Sequence, residues 1–320
     1  MTIRNLAKYL KSDFSRWNDF DKSPRHAIHV SGGVIELMPI ADQKHYTFKY
    51  VNGHPKNPLS GKQTIVATGQ ISNSTDGYPT TFSEMSILTG IRTAATSIIA
   101  TDLLARKDSQ TLALIGTGAQ SEFQTLAHRL VRNIKTVRYY DIDPDAMTKY
   151  YNNLKDSGLE LIACKNAEEA TIGADIITVC TACKAHVDVI LDKWVKPGMH
   201  INALGGDCPG KTELELSILS RSKIVVEYTE QSLIEGEIQR LRPDQVSTMV
   251  HGELWELITQ KKPGRIKEDE ITIFDSVGFA LEDYSALRLV EDLAKQYNIG
   301  MDIDIIPLIK NPKNLISAIF

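Results

Sequence analysis

From Thr111 to Ala163 short apolar runs alternate with amphipathic stretches: TLALIG, a segment carrying Phe123, Leu126, Ala127 and Leu130, the run TVRYYD, a stretch opened by Pro144, and LELIA. This β-α-β-α-β order closes most simply as parallel strands joined by crossover helices, so the fold class is α/β with a Rossmann-type doubly wound sheet. Runs at ADIITVC, MHINAL, SKIVVEY and EITIFDS extend the pattern to about seven strands in this half.

Gly116-Thr117-Gly118-Ala119-Gln120-Ser121 directly follows the first of these runs and opens a helix, the context a dinucleotide fingerprint requires. Gly116 permits the tight turn, Gly118 lets backbone approach a pyrophosphate, and the helix N-terminus offers unpaired N–H groups to the charge. The third small position is Ser121 instead of Gly or Ala. Two acids end the second run. Asp143 precedes Pro144 and reads as a helix N-cap, whereas Asp141 lies at the strand's carboxyl end and reads as a ribose ligand, which favours NAD over NADP. The alternative is a glycine turn and a surface acid with no ligand.

Ligands of open α/β sheets sit beyond the carboxyl ends of the strands, so Thr181, the loop Leu204-Gly205-Gly206-Asp207 and Ser276 are candidates to ring a nicotinamide. Asp207 equally suits an Asx-type turn in a Gly/Pro-rich loop, and Thr212-x-x-Glu215 reads as a capping box. Cys180-x-x-Cys183 has no second metal-spaced pair, so zinc is not expected.

The first hundred residues have another texture. Leu6, Leu10, Phe14 and Trp17 stand at helical spacing, predicting an amphipathic helix packed on a sheet. Runs at 34–38, 45–51 and 64–71 read as antiparallel strands. In HYTFKYV the aromatics Tyr46, Phe48 and Tyr50 share one face, with Lys49, Thr47 and Val51 on the other, where Glu36 and Thr64 can join them. That second face is either a binding surface or the sheet's wet side. A helix over 84–105 carries Arg92 among small residues, either solvated or paired. QKKPGRIKEDE reads as a surface loop, and the tail after Gly300 is largely apolar.

Composition narrows the function. With 36 Lys+Arg against 40 Asp+Glu, a formal charge of −4 disfavours nucleic acid as a partner. A 320-residue chain with 42% hydrophobic residues is long enough for two domains, each with a core. No apolar run approaches a membrane span and the N-terminus has no signal-like apolar region, so a cytoplasmic protein without membrane contact is expected. Four cysteines do not make a disulfide framework. Neither HExxH nor Gly-x-Ser-x-Gly occurs, which argues against zincin and serine-hydrolase chemistry; His54 reads as a surface or packing residue.

The stretches GVIELMP (33–39), FKYVNGHP (48–55), IRTAATS (91–97), LIGTGAQSEFQ (114–124), LGGDCPGKTEL (204–214) and FDSVGFALEDY (274–284) resemble the ornithine cyclodeaminase/mu-crystallin family. The similarity runs from Lys11 to Pro312. It implies an NAD-binding Rossmann domain over 105–295 and a second α+β domain, built from 1–104 and 296–320, that binds substrate and forms a homodimer. It further implies conversion of L-ornithine to L-proline and ammonia, with NAD used catalytically, on the proline-forming branch of ornithine and arginine catabolism. By motif position, Arg25, Lys49 and Arg92 resemble the family's ligands for the substrate carboxylate, Glu36 a substrate-side contact, and Asp207 its catalytic acid/base. Thr93, Gly116, Thr117, Gly118, Ala119, Gln120, Asp141, Thr181, Lys211 and Ser276 match its NAD contacts, and no metal is implied. The chain starts later than the family pattern, so the first strand of the substrate domain is expected to be missing. Lysine cyclodeamination, a dehydrogenase or imine reductase of the same fold, and a non-catalytic NAD-binding protein are the competing readings.

Overall fold

The computed structural model describes residues 3–182 and 186–319. Strands β1 (Asp21–Lys22), β2 (His26–Val30), β3 (Gly33–Ala41), β4 (His45–Gly53), β5 (Ala67–Asn73) and β6 (Pro79–Glu84) form an antiparallel sheet in the order β1-β3-β4-β5-β6, with β2 also paired to β3. A connecting helix, Ser86–Leu104, leads into the second half. There β7 (Thr111–Ile115), β8 (Thr136–Tyr140), β9 (Glu160–Ala163), β10 (Ile176–Val179), β11 (His200–Ala203), β12 (Ser222–Val226), β13 (Val250–Glu253) and β14 (Ile271–Asp275) make one parallel sheet, β13-β12-β14-β11-β10-β7-β8-β9. Strand order reverses between β7 and β10, the switch point at which open α/β sheets leave a crevice. The strand beyond the expected seven is β13, whose sequence VHGE is too short and polar to stand out.

Both faces of the parallel sheet are covered, as its continuous apolar strands require. Ala113, Ile115, Ile177 and Val179 belong to one core; Leu112, Leu114 and Ile176 belong to another with Val137 and Tyr150. Asp143 caps the Pro144–Leu154 helix by accepting from the N–H groups of Asp145 and Ala146. Under the connecting helix lies a buried polar seam: Asn202 Nδ2 donates to His128 Nε2 at 3.1 Å and to Thr101 Oγ1 at 3.2 Å. Burial holds His128 neutral, down to about 4, so it accepts that bond.

Three expectations change. The N-terminal helix, Ile3–Ser15, packs on the connecting helix and on the C-terminal helix, Ala280–Tyr297, and not on a sheet. The C-terminal helix already occupies the inner face of the antiparallel sheet, so closely that a Cβ at Gly69 would lie 2.9 Å from Met85 and 3.1 Å from Leu287. The wet-side reading of the Lys49 face is reversed for the same reason: Thr47, Lys49 and Val51 are buried, while Tyr46 and Tyr50 are exposed. Thr212 and Glu215 form no capping box. The helix starts one turn later, at Leu216, with Glu215 itself at the N-cap; Thr212 bonds His186, and Glu215 accepts from the Asp192 N–H.

The connecting helix reaches the length and mean hydropathy, 1.3, of a bilayer span, which the apolar-run count had not suggested. Its most apolar window is 78% buried inside the protein, the pattern of a core helix. Arg92 on it is paired.

Candidate active site between the two sheets

Three features meet where the carboxyl ends of the parallel strands face the antiparallel sheet: a glycine loop, a loop acid with its lysine, and a buried lattice of cations and acids.

The glycine loop lies at the switch point. Gly116 has φ of +95°, and a Cβ there would sit 2.8 Å from the Cys180 carbonyl carbon and oxygen, so β7 and β10 approach too closely for any side chain. Gly118 and Ala119 are exposed at the start of the Ser121–His128 helix, open to a ligand. Gln120 Oε1 is buried without a donor among the described residues. Asp141 accepts from the Thr117 N–H at 2.5 Å, from Thr117 Oγ1 at 3.1 Å and from the Asp143 N–H at 3.0 Å, which pins a carboxylate beside the loop. Exposed N–H groups at a helix start, a backbone cradle free of side chains and an anchored acid fit a dinucleotide's pyrophosphate and ribose. Gly116→Ala is therefore expected to weaken NAD(H) binding at least tenfold, read by quenching of protein fluorescence on titration; unchanged affinity would show that the close approach is unnecessary.

Asp207 follows β11 and its side chain is 52% exposed. Lys211 Nζ, nearly buried, donates to Asp207 Oδ1 at 3.1 Å and to the Thr181 carbonyl at 2.9 Å. Thr181 Oγ1 in turn donates to Glu213. Burial opposes the Lys211 charge, but Asp207 and Glu213 hold its pKa above the ordinary value. Burial pushes Glu213 up to about 7, with Lys211 drawing it back. The bareness of Gly205 is required here, since its Cβ would overlap the Glu213 carboxyl group.

Each candidate substrate cation already holds an acid. Arg25 Nη1 reaches Glu36 Oε1 at 3.3 Å and Oε2 at 3.2 Å, Nη2 donates to the Val277 and Gly278 carbonyls at 2.6 Å, and Nε lies 3.2 Å from Glu235 Oε2. Lys49 Nζ lies 2.9 Å from Asp283 Oδ1 and 2.8 Å from Oδ2. Arg92 Nη1 donates to Glu282, and its Nε lies 3.3 Å from Asp283 Oδ1. Burial draws Lys49 down to about 8, Asp283 opposing and Arg92 and Arg25 adding to the effect. Ser276 Oγ donates to Glu227, which also accepts the Val277 and Gly278 N–H groups at 3.1 and 2.7 Å. Burial first, and Glu227 beside it, hold Glu282 well above the carboxylate range. Thr93 lies one residue on from Arg92, its hydroxyl bonded to the Thr89 carbonyl within the helix.

The motifs that build this site run through one family description: the model of the ornithine cyclodeaminase/mu-crystallin family matches residues 1–298. The chain belongs to that family. An ornithine cyclodeaminase of Agrobacterium fabrum strain C58 is 52% identical over 310 residues, covering 97% of this chain and 86% of that protein. An archaeal alanine dehydrogenase dimer with bound NAD superposes with a TM-score of 0.89 at 32% identity, covering 96% of each chain. A lysine cyclodeaminase, solved to explain recognition of L-lysine, L-ornithine and L-2,4-diaminobutyric acid, superposes with a TM-score of 0.89 at 32% identity, covering 95% of this chain and 90% of that one.

Within this family scaffold, sequence reasoning picked out the cations with Glu36 and Asp207, but not the other acids that face them. Glu213, Glu227, Glu235, Glu282 and Asp283 all enter the site unannounced. Glu227 directly follows β12 at its carboxyl end, so the rule that marked Ser276 would have marked it too, whereas Glu282 and Asp283 lie in the first turn of the C-terminal helix. Cys183 falls outside the described residues. Cys164 and Cys180 donate to the Ile162 and Gly116 carbonyls, and no group of three or more His, Cys, Asp or Glu among the described residues is set to hold a metal.

Proposed function

We propose that this chain converts L-ornithine to L-proline and ammonia with NAD returned unchanged at the end of each cycle. The observation that carries the reading is the half-exposed Asp207 carboxylate, held by Lys211, which also bonds the Thr181 carbonyl beside the glycine loop, and facing buried Arg25. Gly116, Thr117, Gly118, Ala119, Gln120, Asp141, Thr181, Lys211, Ser276 and Thr93 would hold the cofactor. Bound there, NAD supplies a reversible acceptor for the hydrogen and electron pair of the substrate's α-carbon.

The protein's part is binding and proton handling. Arg25, Lys49 and Arg92 are the cations that would receive the substrate carboxylate, and Glu36 the acid nearest them on β3. Asp207 would take a proton from the α-ammonium and return it to the departing ammonia. Closing a five-membered ring is intramolecular, with effective molarities on the order of 10⁵ M or more in well-oriented cases, so cyclisation outruns hydrolysis when water is kept out. A second diamino acid, L-lysine, is the reading to test beside it, because one methylene discriminates by only about 1–3 kcal/mol.

The substrate-binding part is assigned to 1–104 with the C-terminal segment, and the cofactor-binding part to the intervening residues. The C-terminal helix that carries Glu282 and Asp283, Ala280–Tyr297, packs on the antiparallel sheet although all but its last two residues lie within 105–295, so this helix belongs by packing with the substrate-binding part. A cytoplasmic homodimer is proposed. The exposed Ile28, Leu37, Tyr46, Tyr50 and Phe82 of the antiparallel sheet supply the apolar surface that a second copy would cover.

Incubation with L-ornithine and trace NAD⁺, followed by NMR for proline and by absorbance for NADH, tests the reading. Proline in many-fold excess over NAD⁺ without accumulating NADH supports it. NADH formed in proportion to substrate would show a dehydrogenase, and no product a silent binder.

A further inference from the structure

The reaction proposed above, on which this inference rests, must discharge two ammonium groups, and Asp207 is one base. The α-ammonium loses a proton before the α-carbon is oxidised. The side-chain ammonium must lose one as well before its nitrogen has a lone pair for ring closure.

The buried acids differ in how fully they are engaged. Asp283 faces Lys49 and Arg92; Glu227 accepts from three donors; both oxygens of Glu36 lie against Arg25 Nη1. Glu213, Glu282 and Glu235, the last with its side chain 2% exposed, are less fully engaged, Glu213 Oε2 and Glu282 Oε1 lying buried without a hydrogen bond among the described residues; of the three only Glu235 faces both Arg25 and Asp207. Both contacts of Glu235 fall on Oε2: Arg25 Nε at 3.2 Å, so poorly aligned that this Nε is left without a hydrogen bond, and Gln231 Nε2 at 3.5 Å. Oε1 thus has no partner among the described residues. The charged groups facing Glu235 are Arg25 ahead of β2, Glu36 on β3 and Asp207 after β11.

We propose that Glu235 is the base that takes the proton of the substrate's side-chain ammonium, leaving Asp207 to serve the α-nitrogen. The Glu235 carboxylate removes one N–H proton and the electron pair stays on nitrogen. That pair forms the ring C–N bond at the oxidised α-carbon, while the C=N π pair moves onto the α-nitrogen. Asp207 carries a proton from the ring nitrogen to the α-nitrogen, which departs as ammonia as the ring nitrogen's pair forms the cyclic C=N bond. The released ammonia then takes the proton held by Glu235. Burial, Glu36 and Asp207 push the Glu235 carboxyl up to about 7 against the pull of Arg25, so it can exchange protons near neutrality.

Docking an ammonium beside Glu235 must then drive off the proton it holds. Protein loaded with NADH cannot oxidise ornithine, so binding can be followed without turnover by calorimetry at pH 7 in two buffers of different ionisation enthalpy. A fraction of a proton released per L-ornithine is expected for the native protein, and a clearly smaller release for Glu235→Gln, which keeps an oxygen and an amide at this position. In turnover, Glu235→Gln is expected to lower kcat for proline by about 10²–10⁴-fold with KM within threefold. It should also accumulate NADH, because the uncyclised imine is hydrolysed to the 2-oxo acid and ammonia. Unchanged proton release together with proline formation within threefold of native would overturn the role of Glu235 alone. A native protein that makes no proline would overturn the parent reading and this one together.

Discussion

Asp207→Asn is expected to abolish proline formation, lowering kcat by at least the roughly 10²–10⁴-fold that one general acid/base supplies, while NAD(H) binds as before. The amide cannot take the α-ammonium proton or give one to the leaving ammonia, so both of its turns are lost together. The fold should tolerate the change. The side chain is half exposed, and its partner Lys211 keeps the Thr181 carbonyl as acceptor and the Glu213 charge nearby. Turnover by NMR, cofactor affinity by fluorescence titration and the midpoint of urea unfolding separate these effects. Near-normal proline formation by the variant would remove Asp207 from the chemistry.

Arg92→Met is expected to be the most destabilising single change at the site. It leaves buried Asp283 to Lys49 alone and takes the guanidinium donor from Glu282, whose carboxyl is already held above the carboxylate range by burial; breaking a buried pair from one side costs about 3–5 kcal/mol, because the remaining charge has lost a partner in a dry interior. Adding Asp283→Asn removes the acid left short of a cation, so the double variant should recover part of the loss, and unfolding free energies from urea titration complete the cycle. A single variant costing under about 1 kcal/mol would mean that the lattice is not electrostatically coupled.

Where the sequence was readable, local pattern and tertiary demand agreed. The alternation after Thr111 named seven of the eight parallel strands because each carries a short apolar or β-branched run between helical stretches, and β13 escaped for want of that signal. Lys49 shows the opposite case. Period-two alternation placed it correctly opposite the aromatics, but which face points inward depends on what covers the sheet, and the covering helix lies more than two hundred residues downstream. The same distance hid the acids. Arg92 announces a charge in an apolar helix, whereas Glu282 and Asp283 sit in a helix start, where acids are ordinary. The glycine loop and the Asp207 segment were legible because their chemistry is local; the pairing of cations with acids was not, because it is wholly long-range.

That pairing bears on how such a chain can change over generations. Arg25, Lys49 and Arg92 come from the first hundred residues, and the acids that neutralise them after burial, apart from Glu36, come from 235–283. A recombination event joining the front of one relative to the back of another imports one half of this ledger of charge without the other. Unless both parents carry matching residues at every one of these positions, the hybrid inherits a buried ion with no counterpart. Its halves are therefore bound to be inherited as one unit, although each has its own sheet.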